Sequence, residues 1–184
     1  SMIDEQILAL PVQTLAAERG HLYCWTTDSH LELALQCVRH WGYEFKRTIV
    51  WVKIQRPELR MNRAMGLLDR LMLDPSNGDL REALADALAE LSTPKVRIGG
   101  GHYVRSAHEL CLFAVRGGLT GLVRDVPSVL FVPRTEHSAK PEELQNLAER
   151  LSPGPRIEIF ARRQRREWLC WGNECPAEPV KETV

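Results

Sequence analysis

An α/β fold built around a parallel sheet is predicted by three observations. His21 to Thr27 is a compact apolar and aromatic run of the kind that fills a buried strand. Phe45 to Ile54, rich in β-branched and aromatic residues, reads as a second strand. Between them lies a helical pattern of Leu31, Leu33, Ala34, Leu35, Cys37 and Val38, capped by Asp28 or Ser29 and ending near Gly42. Strand, helix and strand at this spacing form the crossover unit of a parallel sheet.

The other elements follow from local pattern. Residues 3–19 show a short helix pattern around Pro11. Residues 55–97 break the strand–helix rhythm, because Pro57 to Leu73 and Asp79 to Leu91 both have helical periodicity around a Pro75-Ser76-Asn77-Gly78 turn. Asp79 with Glu82 makes a capping-box-like start, and Leu80, Leu84, Leu88 and Leu91 form a stripe for packing. Arg56, Arg60, Arg63 and Arg70 on the first helix oppose Glu82, Asp86 and Glu90 on the second, so an antiparallel helical hairpin is expected. Gly99-Gly100-Gly101 returns the chain to the domain. Glu109 to Val115 reads as a third strand and Val126 to Val132 as a short extended segment. Pro141 to Leu151 reads as a helix with proline in its first turn. Arg156 to Ala161 and Trp168 to Trp171 are the last strands, before a loose end from Pro176 to Val184.

The 184 residues suit a single domain, 1–184, with residues 55–97 as its insert. Lysine plus arginine number 24 and aspartate plus glutamate 24, so any basic surface for nucleic acid must be local. No apolar run is long enough to span a membrane, and the first residues lack a signal-peptide pattern. A cytoplasmic protein with no membrane or metal partner is therefore expected, and the opening Ser1-Met2 reads as a tag remnant before a start methionine. The insert and compact length point to a bacterial or phage source. The odd count of five cysteines, with no Cys-x-x-Cys pair, reads as small hydrophobes in a reducing compartment rather than a disulfide or zinc framework.

A set of fragments carries more specific information by its order. These are Leu10-Pro11-Val12, Leu22-Tyr23-Cys24-Trp25-Thr26-Thr27 with His30, Trp41-Gly42-Tyr43, and Ile49-Val50-Trp51-Val52-Lys53. Gly101-His102-Tyr103-Val104-Arg105, His108-Glu109-Leu110 and Phe113-Ala114-Val115-Arg116-Gly117 follow. His137-Ser138-Ala139-Lys140-Pro141, Arg156 to Arg162 and Trp171-Gly172-Asn173-Glu174 complete the set. Together they resemble the S-adenosylmethionine-dependent adenine-N6 methyltransferase family named after the seventy-kilodalton subunit of the mRNA adenosine methyltransferase.

That resemblance implies a Rossmann-like methyltransferase sheet in permuted order, N-terminally truncated and carrying the helical-hairpin insert. It implies S-adenosylmethionine as cofactor, with Lys140 on its carboxylate or on a substrate phosphate. Glu158 and Arg162 would lie on the ribose side, and Asn173 and Glu174 at the nucleoside end. Lys53, His108, Glu109, Arg163 and Arg165 would face a DNA or RNA substrate. A lysine ammonium suits an anionic group, and carboxylate or amide oxygens suit hydroxyls and an adenine amine. On residue type alone, Lys140 also reads as an exposed helix-start residue, Arg162 to Arg166 as a solvated charge run, and Glu174 as a surface carboxylate. Where the family often has a Pro-His-Asn-like run, Arg163-Gln164-Arg165-Arg166 stands instead.

Active members of the family carry an Asp-Pro-Pro-Trp tetrapeptide after an upstream strand. It holds the adenine amine and aims its nitrogen at the sulfonium methyl. No such tetrapeptide occurs here, and Asp74-Pro75, the one Asp-Pro, sits in the hairpin turn. The 184 residues alone are therefore expected to lack activity, and their sheet to close the gap by direct pairing or to borrow a strand from a homodimer or partner subunit. The alternative is a non-catalytic scaffold that binds nucleic acid or a catalytic partner.

Overall fold

The computed structural model describes residues 2–134 and 139–176. The described chain forms two compact units, one of residues 2–119 with 127–134 and one of residues 120–126 with 139–176. The expected helix start at His137 and Ser138 and the expected loose end beyond Pro176 lie outside the described residues.

In the first unit, two short helices, α1 (Asp4–Leu8) and α2 (Val12–Leu15), precede β1 (Gly20–Thr26). A 3-10 turn at Asp28–His30 leads into α3 (Leu31–His40), and β2 (Glu44–Ile54) follows. Neither Asp28 nor Ser29 caps α3: His30 is its N-cap and makes no capping bond. The other end is well specified. Gly42, at φ +80, follows the C-cap Trp41, while Tyr43 N–H bonds to the Val38 carbonyl and Gly42 N–H to Arg39. This paired closure needs a residue that accepts positive φ, which glycine does without steric cost.

After β2 come α4 (Pro57–Leu73) and α5 (Gly78–Leu91), then β3 (His108–Arg116) and β4 (Val129–Pro133). The strands form one mixed sheet in the order β1-β3-β2-β4. β1 and β2 run parallel to each other but are not neighbours, because β3 inserts antiparallel between them. β4 pairs parallel with β2, Val50 opposite Val129. The all-parallel expectation thus gives way to a mixed sheet. β3 occupies the interior, and its residues are buried on both faces: Cys111, Leu112 and Ala114 are all 0% exposed. Ala34, Cys37 and Val38 give α3 a buried stripe at helical spacing, and α3 packs on β1, β2 and β3.

α4 and α5 pack as the expected hairpin, tied by Arg63 to Glu90 at 3.6 Å and by Arg60 donating to the Thr93 carbonyl at 2.8 Å. The cap is not the expected one. Asn77, not Asp79, caps α5, its Oδ1 accepting the Leu80 N–H at 3.0 Å. Leu88, placed by periodicity in the packing stripe, is 53% exposed, and Ala87 takes the buried position.

The second unit holds α6 (Glu142–Leu151) and a separate two-stranded parallel sheet of β5 (Arg156–Ile159) and β6 (Trp168–Trp171). Pro141 is the N-cap of α6 rather than its first helical residue. Leu144, Gln145, Leu147 and Ala148 form its buried face. Among the described residues β5 pairs with β6, and β4 is an end strand of the four-stranded sheet.

Candidate functional site

β1, β2 and β4 all run the same way, so their C-terminal ends share one end of the first unit's sheet, together with the N-terminus of β3. Ligands of open α/β sheets collect at that end. Lys53, His108 and Glu109 all stand there. Lys53 Nζ meets Glu109 Oε1 at 2.8 Å, with the two side chains only 18% and 15% exposed. The register explains the pair: Glu109 is opposite Trp51, and Lys53 lies two residues along the same face of β2. The Lys53 ammonium also lies 5.3 Å from the Trp51 ring centre. Trp51 itself is a core residue, 2% exposed, whose indole N–H donates to the Val132 carbonyl at 2.9 Å. His108 Nε2 approaches Asp28 Oδ1 at 3.4 Å on the more exposed side. The arrangement is a fixed cation–carboxylate pair set on an aromatic floor, able to present one donor and one acceptor in a defined orientation.

In the second unit the C-terminal ends of β5 and β6 lie side by side. Ala161 N–H donates to the Trp171 carbonyl at 2.9 Å, and a Cβ on Gly172 would collide with the Ala161 backbone. Glycine is required for that close approach, which brings the Asn173-Glu174 turn against Arg162. Arg162 Nε donates to Glu174 Oε2 at 2.6 Å. Two residues expected at one ligand are thus partners here, with side chains 41% and 64% exposed. Phe160, at φ +65, is held in a backbone region that a residue with a side chain rarely occupies. Its ring sits 6.1 Å from that of Trp171, and the two are 53% and 59% exposed. Neither aromatic was singled out as a ligand contact from the sequence. Lys140 stands next to the N-cap of α6 and is half-buried.

Glu158, Arg163 and Arg165 converge on α6 through Gln145, a buried polar residue that sequence reading missed. Gln145 donates to Glu158 at 2.5 Å and accepts from Arg163 at 2.8 Å and Arg165 at 3.3 Å. The only sequence trace of it is a polar residue at a position where the periodicity of α6 demands burial. Arg165 also forks onto Glu149, at 2.7 and 2.8 Å, and donates to Asn146 at 2.7 Å. The Trp168 indole N–H gives Glu149 a further bond at 2.7 Å. The Arg165 hydrogen bonds, with help from Trp168, hold the Glu149 carboxyl down at about 2 against the opposing effect of desolvation. A phosphate-contacting role for Arg163 and Arg165 therefore competes with these intramolecular bonds. Among the described residues no group of three or more histidine, cysteine or acidic side chains could hold a metal, and no helix is long and apolar enough to cross a membrane.

The chain belongs to the MT-A70 family, whose model matches residues 1–66 and 87–174. Its mixed α/β architecture is that family's Rossmann-like methyltransferase fold. The N(6)-adenosine-methyltransferase MT-A70-like protein of Drosophila melanogaster is 28% identical over 95% of this chain and 24% of its own length. The human N(6)-adenosine-methyltransferase catalytic subunit METTL3 is 27% identical over 95% of this chain and 25% of its own. The Arabidopsis thaliana MT-A70-like protein is 26% identical over 95% and 21%. The chain thus spans about a quarter of the length of the curated relatives it matches.

Proposed function

We propose that this chain is the cofactor-binding and substrate-facing part of an S-adenosylmethionine-dependent adenine-N6 methyltransferase acting on DNA or RNA. The observation that carries the reading is the family match on both sides of the insert, with the second unit gathering donors and acceptors of the right kinds. The donor set fits the cofactor. Lys140 offers an ammonium for its carboxylate. Arg162, Glu174 and Asn173 offer donors and acceptors for ribose hydroxyls and the adenine edge, beside the exposed Phe160 and Trp171 rings. When bound, S-adenosylmethionine supplies an electrophilic methyl on a sulfonium. In this reading Glu158 acts from behind, tethered to α6 through Gln145. Lys53 and Glu109 orient a nucleic-acid group at the end of the four-stranded sheet.

The tetrapeptide that would hold the adenine amine is not among these residues. Asp74, in the one Asp-Pro pair, ends α4 and spends its carboxylate on Ser76 and Asn77. In this reading transfer takes that element from elsewhere, upstream or from a partner subunit. The second reading is a non-catalytic scaffold that binds a catalytic partner, since α6 occupies the Arg163 and Arg165 that would otherwise contact phosphate.

Calorimetric titration of the chain with S-adenosylmethionine separates the two. The methyltransferase reading expects binding that Lys140→Ala and Arg162→Ala each weaken about tenfold, the loss of one charge-assisted bond. A folded wild-type chain that takes up no cofactor, or binds it equally well in both variants, sinks that reading and leaves the scaffold.

A further inference from the structure

α4 carries two apolar stripes, and the hairpin uses one of them. Ala64, Leu67 and Leu71 follow helical spacing on one face, with Ala64 3% exposed and the other two half-buried in the packing with α5. About 100° further round the helix lies a second stripe of Met61, Met65, Leu68 and Met72, which are 48, 56, 46 and 72% exposed. An ordinary amphipathic helix puts polar groups there. Here Asn62, Arg63, Asp69 and Arg70 lie on the remaining arc, while Arg60 turns to the Thr93 carbonyl on the packed side and Glu58 precedes the exposed stripe. A contiguous exposed apolar patch of this kind marks an interaction surface, and methionine suits one that must adapt its packing.

We infer that this stripe pairs with the same stripe of a second copy of the chain, with the two α4 helices antiparallel. The spacing is the evidence for the occupant. Met61, Met65, Leu68 and Met72 recur at intervals of four, three and four, the heptad seam of a helix pair. That pattern reads the same in both directions. A two-fold axis between Met65 and Leu68 therefore sets Met61 against Met72 of the second copy and Met65 against Leu68, which is the self-complementarity an isologous interface needs. The flanks agree. Asn62 falls beside Asp69 of the second copy, an amide donor facing a carboxylate. Arg63 and Arg70 point away from the seam, and Arg63 is already engaged by Glu90.

The family model leaves residues 67–86 unmatched, so Leu68 and Met72 belong to a segment that this chain carries beyond the shared part of the family. A second copy is the one partner certain to accompany that segment. At 17 residues α4 is about 25 Å long, and a single helix pair of that length buries less than the ~1,600 Å² of a standard stable interface. The dimer is therefore a reversible one.

Sedimentation analysis of the 184-residue chain from roughly ten micromolar to one millimolar, the range in which an interface this small associates, tests the pairing. The average mass should rise from 21.0 kDa toward twice that value. The Met65→Glu/Leu68→Glu variant, altered only at exposed helical positions, should stay at 21.0 kDa at every concentration. A short bismaleimide should join two chains of the Met65→Cys/Leu68→Cys variant and leave Met61→Cys at the wild-type background, because two-fold pairing holds the Met61 positions of the two copies far apart. A wild-type mass that does not rise, a dimer that survives both glutamates, or efficient joining through Met61→Cys would each overturn the proposal.

Discussion

Arg162 and Arg165 stand three residues apart on the loop from β5 to β6, and the fold treats them in opposite ways. Arg165, with its side chain 17% exposed, spreads its donors over Glu149, Asn146 and Gln145 and lies 5.8 Å from the Trp168 ring. Arg162 has an exposed carboxylate, Glu174, as its ion-pair partner, across the ends of two strands. The difference separates a charge that builds the unit from one that can be exchanged. A forked, shielded pair with several acceptors fixes a loop on a helix, whereas a solvent-screened pair contributes little to stability and yields readily to a ligand that offers better geometry.

The largest expected effect comes from breaking the first kind. Arg165→Ala leaves Glu149 without its cation and frees the loop from α6, and should lower unfolding stability by about 2 kcal/mol in urea titration, the range for hydrogen bonds to charged groups. The pH dependence gives an independent check. The folded Glu149 carboxyl is depressed from its ordinary 4.5 to about 2, chiefly by the Arg165 hydrogen bonds. A depressed acid contributes stability that is fully present above the ordinary value and is lost as pH falls through the folded one. Between pH 4.5 and about 2, wild-type stability should therefore decline, and Arg165→Ala should decline less steeply over that window. Equal slopes would show that Glu149 is not held by Arg165.

Lys53 and Glu109, 18 and 15% exposed, are about as shielded as Arg165 at 17%, and separating them is expected to have the second effect. Lys53→Met should cost about 1.5 kcal/mol by taking the ammonium away from a mostly shielded carboxylate. Adding Glu109→Gln should recover part of that loss, because two neutral groups of similar size suffer no unpaired charge. Additive losses in a double-mutant cycle would mean that the 2.8 Å contact carries no coupling.

How much of this was legible in the sequence depends on the range of the interaction. Local patterns were readable. The α4–α5 hairpin, β6 and the helix–Gly42 closure all depend on residues a few positions apart. Strand order was not, because β3 enters between β1 and β2 from more than fifty residues further along the chain, and no local period records that pairing. The site divides the same way. Lys53, Glu109, Arg162 and Glu174 were candidates through the resemblance, and the fold pairs Lys53 with Glu109 and Arg162 with Glu174. Gln145 was not a candidate, because a glutamine becomes a hub only when Glu158, Arg163 and Arg165 are folded onto it.

The cap of α5 shows how close competitors are decided. Asp79 with Glu82 makes the capping-box-like pattern, yet the chain caps α5 with Asn77, whose amide also donates to the Asp74 carboxylate. Asn77→Ala should therefore cost about 1 kcal/mol in thermal unfolding, while Asp79→Ala should stay within about 0.5. The reverse order would restore the sequence-based assignment.

The smallest stability effect is expected at Arg162, and it bears most directly on function. An ion pair with side chains 41% and 64% exposed is strongly screened, so Arg162→Ala should melt within about 0.5 kcal/mol of wild type, and added salt should shrink the difference. The same substitution is expected to weaken S-adenosylmethionine binding about tenfold. That combination, a stable fold with a weakened ligand, is what an exchangeable charge predicts and a structural one does not. If Arg162→Ala instead loses as much stability as Arg165→Ala, the two arginines play the same part. The Arg162–Glu174 pair is then a clasp that closes the ends of β5 and β6 and not a place for the cofactor.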